Sequence, residues 1–112
     1  MSRLEPTPFF KFGSLKSQDQ NSPDVLELQV LNAETFETMY SINVRVLLKD
    51  GESNKEIILP LKNHESKNPS LLRDWEMARK KGLLTPNRRF RLKTWLDTSK
   101  NGRQIRRFKL VF

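Results

Sequence analysis

Residues 88–112 read RRFRLKTWLDTSKNGRQIRRFKLVF, and the way this stretch folds back on itself decides the architecture of the chain. In residues 88–96, Phe90, Leu92 and Leu96 share one parity, while Arg89, Arg91, Lys93 and Trp95 share the other. Successive side chains of a strand point to opposite faces, so this is a strand with one apolar face and one basic face that carries an aromatic ring. A turn follows in residues 97–103, and residues 104–112 return as a second strand with Phe108, Leu110 and Phe112 inward and Arg107 and Lys109 outward. The faces of the two strands match only if the loop is odd. A three-residue loop Lys100-Asn101-Gly102, with Gly102 left-handed in a bulge, satisfies this. A two-residue Asn101-Gly102 turn would set Trp95 against Phe108 and Leu96 against Arg107, mixing core and solvent positions. The odd register places Trp95 opposite Arg107 and Lys93 opposite Lys109. Like charges directly across a ladder are destabilising, so this pairing calls for an anion over it.

The charge of the whole chain has the same focus. Its formal net charge is +8 over 112 residues. Residues 88–109 hold nine Lys/Arg against Asp97 alone, 9 − 1 = +8, and the remainder holds twelve of each sign and sums to zero. A localised positive field attracts polyanions, of which nucleic acid is the commonest inside cells. The competing reading is a solvated basic surface that only aids solubility. With 36% hydrophobic residues the chain supports a single core. Cysteine is absent, which excludes a disulfide framework and thiolate chemistry and fits an intracellular protein. No apolar run is long enough to span a bilayer and the N-terminus lacks the layout of a signal peptide, so the sequence points to a cytoplasmic protein.

Upstream, residues 1–24 contain Pro6, Pro8, Pro23 and a polar run from Ser17 to Ser22, the composition of an arm or tail outside the domain formed by residues 25–112. Inside it, Phe9, Phe10 and Phe12 are too apolar for a plain linker. They suit either a plug packed on the domain or an arm that stacks on bases. Val25–Leu31 alternates as a half-buried strand. Met39–Leu48 is a longer strand, with Tyr40, Ile42, Val44, Val46 and Leu48 inward and Ser41, Asn43 and Arg45 outward. Asp50-Gly51 marks a hairpin, and Lys55–Leu61 returns with Pro60 suggesting an edge or bulge. A helix follows, with Asn68 or Ser70 as cap, Pro69 in its first turn, Leu71, Leu72, Trp75 and Ala78 on its apolar stripe, and Gly82 as C-cap. Trp75 is therefore expected in the core.

The order strand, strand, strand, helix, strand, strand predicts an all-β domain with one helix: a small five-stranded antiparallel barrel with the helix between strands three and four. Over residues 25–112 this order resembles the OB-fold, the oligonucleotide/oligosaccharide-binding barrel, by topology rather than by any motif. The resemblance implies a binding face on strands two and three, here Ser41, Asn43 and Arg45, flanked by residues 32–38 and 97–103. The positive charge departs from that pattern, since it lies on strands four and five.

No catalytic constellation is present. His64 has no companion His or Cys and is expected in an exposed loop rather than at a metal. Asp50, Glu52 and Lys55 fall in a hairpin turn, where acidic and basic residues simply meet solvent, and the four glycines are isolated and form no phosphate loop. The chain thus reads as a binding protein without catalysis, metal or cofactor. Single-stranded nucleic acid needs a line of cations for its backbone and flat apolar surfaces for its bases. Arg45, Arg89, Arg91, Lys93, Lys100, Arg103, Arg107 and Lys109 supply the first and Trp95 the second, with ssDNA favoured over RNA. The alternatives are structured RNA bound by shape and an adaptor subunit, docked on an acidic protein in a replication, transcription or translation complex.

Overall fold

The structure, a computed structural model, describes residues 7–65 and 70–112, apart from the side chains of Asp50 and Ser70. The strands are β1 (Asp24–Val30), β2 (Phe36–Glu37), β3 (Ser41–Asp50), β4 (Ser53–Asn63), β5 (Arg89–Thr98) and β6 (Gln104–Val111), with helix α1 (Ser70–Lys80) between β4 and β5. They form one antiparallel sheet of six strands rather than five. The additional strand, β2, lies in the connection read as irregular: Phe36 and Glu37 continue the β1 side of β3, opposite Asn43 and Ile42. Asn68 and Pro69, expected at the start of the helix, lie outside the described residues, as does the side chain of Ser70.

The sheet runs β4–β3–β1–β5–β6. It does not close into the expected barrel, because among the described residues no ladder joins the outer strands β4 and β6. Other elements occupy the gap. Helix α1 packs against both strands. The segment before β1 covers the rest: Phe10 N–H donates to the Ile58 carbonyl and Ile58 N–H to the Pro8 carbonyl, each at 2.8 Å, forming a parallel bridge on the outer edge of β4. Phe12 then turns its ring edge-on to Phe108 of β6 at 5.2 Å. A sheet with strong apolar alternation must cover its edges, and here a helix and an aromatic strap do so.

The core lies between the inner sheet face and α1. Trp75 is fully buried, packs edge-on against Phe90 at 5.8 Å and donates its Nε1–H to the Ala33 carbonyl at 3.0 Å. The helix ends where Gly82, at φ 72°, allows the chain to reverse: Gly82 N–H bonds the Arg79 carbonyl and Leu83 N–H the Ala78 carbonyl, the double bond of a Schellman cap. Trp75→Phe removes the indole donor and part of the ring, leaving the Ala33 carbonyl without its partner. It is expected to cost about 1–2 kcal/mol, read as a fall in the thermal unfolding midpoint; an unchanged midpoint would contradict this account of the core.

Two parts of β3 depart from the sequence reading. The strand begins at Ser41, so Met39 and Tyr40 precede it and are exposed, Tyr40 by 71%. The register slips between Ile42 and Asn43, opposite Pro60 and Lys62 of β4. The extra residue, Leu61, belongs to β4, and at this end of β3 Ser41 and Asn43 are buried rather than exposed: Ser41 Oγ donates to Asn43 Oδ1 at 2.7 Å and Asn43 Nδ2 to the Ser41 carbonyl at 3.2 Å. A proline cannot donate to the ladder, so the slip falls where a ladder bond is missing. Neither Ser41 nor Asn43 is available as a surface binding residue.

Candidate nucleic-acid interface

The β5–β6 hairpin has the odd register: Lys93 faces Lys109, Trp95 faces Arg107 and Leu92 faces Leu110. Its loop closes through Ser99 N–H to the Arg103 carbonyl at 2.8 Å and Gly102 N–H to the Ser99 carbonyl at 2.9 Å, with Gly102 at φ 78°. Lys100-Asn101-Gly102 is thus the three-residue loop that parity demands.

Strand alternation then builds the surface. Arg89, Arg91, Lys93 and Trp95 lie along the outward face of β5, about 6.6–7 Å apart at two residues per repeat. On one side they are flanked by Val111, Lys109 and Arg107 of β6; on the other, Gln29, Glu27 and Val25 of β1 stand opposite Arg89, Arg91 and Lys93. The cations on this face differ in what they touch. Arg91 Nε is 2.8 Å from Glu27 Oε1, and Arg107 Nε is 3.3 Å from Asp97 Oδ2. Lys93 and Lys109 are directly opposed and, among the described residues, neither has an anionic partner. Trp95 is half-buried beside them, outside the core cluster. Val25, 45% exposed, extends the apolar surface on the far side of Lys93. Lys100 and Arg103 are exposed at the hairpin loop, continuing the positive surface beyond Trp95.

At the opposite end of the stripe, Arg89 and Lys49 line a depression of about 390 Å³ together with Glu27, Gln29, Leu47 and Asn54. Lys49 and Val25 have no place in the sequence reading of the site. Finding them requires knowing that β1 separates β3 from β5, which strand alternation alone does not reveal. Arg45 does not join the cluster. It lies on β3, beyond β1 from β5, 3.6 Å from Glu56 and with its guanidinium 5.5 Å from the Phe36 ring centroid.

One cation of the basic run serves the interior. Arg106 is on the inward parity, and its Nη2 donates to the Phe12 carbonyl at 3.1 Å and the Leu15 carbonyl at 2.6 Å. Its Nη1 donates to Thr94 Oγ1 at 3.1 Å, and its Cζ lies 5.6 Å from the Phe12 ring centroid. Burial pulls its pKa below the ordinary guanidinium value, opposed by the nearby Asp24 carboxylate. Phe10 and Phe12 are partly buried and pack on the core, whereas Phe9 is 40% exposed. His64 Nε2 lies 3.0 Å from the Thr38 carbonyl, and among the described residues no group of three or more His, Asp or Glu is arranged to hold a metal ion.

Compared with protein-family models, with curated proteins and with solved structures, the chain matches none of them.

Proposed function

We propose that this protein binds single-stranded nucleic acid, DNA ahead of RNA, along the outward face of β5 and β6, and that its sheet is an open variant of the OB barrel. The observation that carries the reading is the Lys93–Lys109 pair: two like charges placed face to face on adjacent strands, without an acidic partner among the described residues, beside a half-buried tryptophan. Such a pair opposes the folded state and is relieved by a phosphate above it. Each phosphate so neutralised releases counterions. The adjacent indole offers a surface for a base, worth about 1–3 kcal/mol. The OB architecture is a five-stranded and partly open barrel, which suits a sheet whose outer strands are bridged by a helix and a strap.

The test is titration of oligo(dT), oligo(rU) and a DNA duplex against the protein at several salt concentrations, following tryptophan fluorescence. Trp75 is buried, so quenching by a stacked base is expected from Trp95 alone and should vanish in Trp95→Phe. Salt-dependent binding of a single strand with that quenching supports the proposal. Absence of binding to all three at low salt overturns it.

A further inference from the structure

Beyond the basic face, a groove of about 380 Å³ runs between α1 and the end of β6, within the ~300–1,000 Å³ range of ligand pockets. Its helical wall is a single stripe, since Asp74, Met77, Ala78 and Lys81 fall at i, i+3, i+4 and i+7. Its other wall is formed by Leu110, Phe112 and Lys109 of the final strand and the residue after it. The middle of the groove is apolar and its rims carry charge. Met77 is 48% exposed, and an exposed methionine is an adaptable apolar surface.

Two observations, the engaged Phe112 ring and two lysines on facing walls, bear on the chemistry of the occupant, and a further residue, Asp74, opposes it in part. Phe112 is already engaged through its ring face: Phe90 stacks on it at 5.1 Å and 17°, and Arg88 Cζ lies 6.0 Å from its centroid. The groove therefore offers mainly methionine and aliphatic surface, its aromatic ring being already stacked on Phe90. Lys81 and Lys109 stand on opposite walls, and among the described residues neither has an ion-pair partner. The one acid in the lining, Asp74, sits under the influence of the Leu110 backbone N–H, while burial raises its pKa above the ordinary carboxylate value.

We infer that this groove is a docking site for an extended acidic peptide of a partner protein, whose apolar side chains enter between Met77 and Phe112 while flanking carboxylates meet Lys81 and Lys109. The site is separate from the Trp95 face except for Lys109, so a bound peptide and a bound single strand meet at that residue. A surface of this kind would tie a nucleic-acid-binding module to an acidic partner.

The probe is a fluorescein-labelled synthetic peptide of alternating aspartate and leucine or phenylalanine, read by anisotropy at low ionic strength beside an analogue with lysine for aspartate. The aspartate peptide is expected to bind and the lysine analogue not to. Met77→Asp, at an exposed position where the fold tolerates change, should weaken the peptide about tenfold. Lys81→Glu should weaken it about threefold or more, and Asp74→Asn should tighten it. Met77→Asp should leave oligo(dT) affinity unchanged, and Trp95→Ala should leave peptide affinity unchanged. Equal binding of both peptides overturns the inference, as does indifference of the aspartate peptide to Met77→Asp and Lys81→Glu. Loss of oligonucleotide binding in Met77→Asp would instead make nucleic acid the occupant, and a concentration-dependent dimer abolished by Met77→Asp would make it a second copy of this chain; either overturns the peptide. Failure of the nucleic-acid reading would appear as absent oligo(dT) binding with the peptide series intact.

Discussion

Arg106→Met is expected to destabilise the protein by about 3 kcal/mol, although the position lies in the most basic stretch of the chain. Its guanidinium donates to two carbonyls of the N-terminal strap, Phe12 and Leu15, and to Thr94 Oγ1, while covering the Phe12 ring. Hydrogen bonds to a charged donor contribute about 1.5–3 kcal/mol each, and are not additive; methionine fills much of the volume but leaves both carbonyls without this donor. The strap has other attachments, among them the Phe10–Ile58–Pro8 bridge, the Phe12–Phe108 contact, Leu96 N–H to the Ser17 carbonyl at 2.7 Å and Thr7 Oγ1 to Glu56 Oε2 at 2.9 Å. Whether the loss is global or confined to the strap is decided by two readouts. Urea unfolding reports the first, and trypsin cleavage at the exposed Lys11 and Lys16 reports the second. A change below about 0.5 kcal/mol with unaltered cleavage would show that the guanidinium does not hold the strap. Arg106→Lys keeps the charge but not the planar fork, and should recover only part of the stability.

This role explains why a count of charges overstated the basic surface. Parity assigns Arg106 to the inner face, yet a strand inner face normally excludes an unpartnered charge. The acceptors that make it tolerable come from residues more than ninety positions earlier, and no local pattern indicates them. The hairpin itself was legible for the opposite reason. Its register follows from matching two alternating strands across one loop, a short-range problem with one odd solution, and Lys93–Lys109 and Trp95–Arg107 follow from it. Trp75 was legible because an apolar helical stripe has one place to go.

The failures share a physical cause. Ser41 and Asn43 have the outward parity of a half-exposed strand, yet both are buried and bond each other; Pro60 signalled a disturbance, but alternation along β3 does not reveal what covers its outer positions. Closure was expected because five alternating strands have two edges to hide. The sequence does not distinguish a closing ladder from a helix and a strap laid over the same edges, and the Phe9–Phe12 segment fitted either a plug or a binding arm. Val25 and Glu27 were missed as neighbours of β5, and Lys49 as a wall of the depression beside Arg89, because sheet order is a long-range property. Glu27 matters most of these, since it engages Arg91 and leaves Lys93–Lys109 as the least compensated part of the stripe.

That difference makes the double variant Lys93→Gln/Lys109→Gln the sharpest probe of the proposed interface, because its two effects have opposite signs. Without ligand, removing the opposed charges relieves cross-strand repulsion worth a few tenths of a kcal/mol, raising the unfolding midpoint by about 2 °C. With oligo(dT), two phosphate contacts are lost. The slope of log K against log salt concentration should become shallower by about 1.4, at ~0.7 per phosphate on a single strand, and affinity at low salt should fall by at least tenfold. Arg91→Gln should do less to binding, because Glu27 already satisfies that guanidinium. A variant that is more stable yet binds more weakly, with the shallower slope, is the signature of a ligand site held at some cost to the fold. Unchanged stability and unchanged slope would mean that the two ammonium groups diverge into solvent and that the polyanion, if bound, follows another path. A loss of stability would place them in structural contacts and remove the repulsion on which the proposed interface rests.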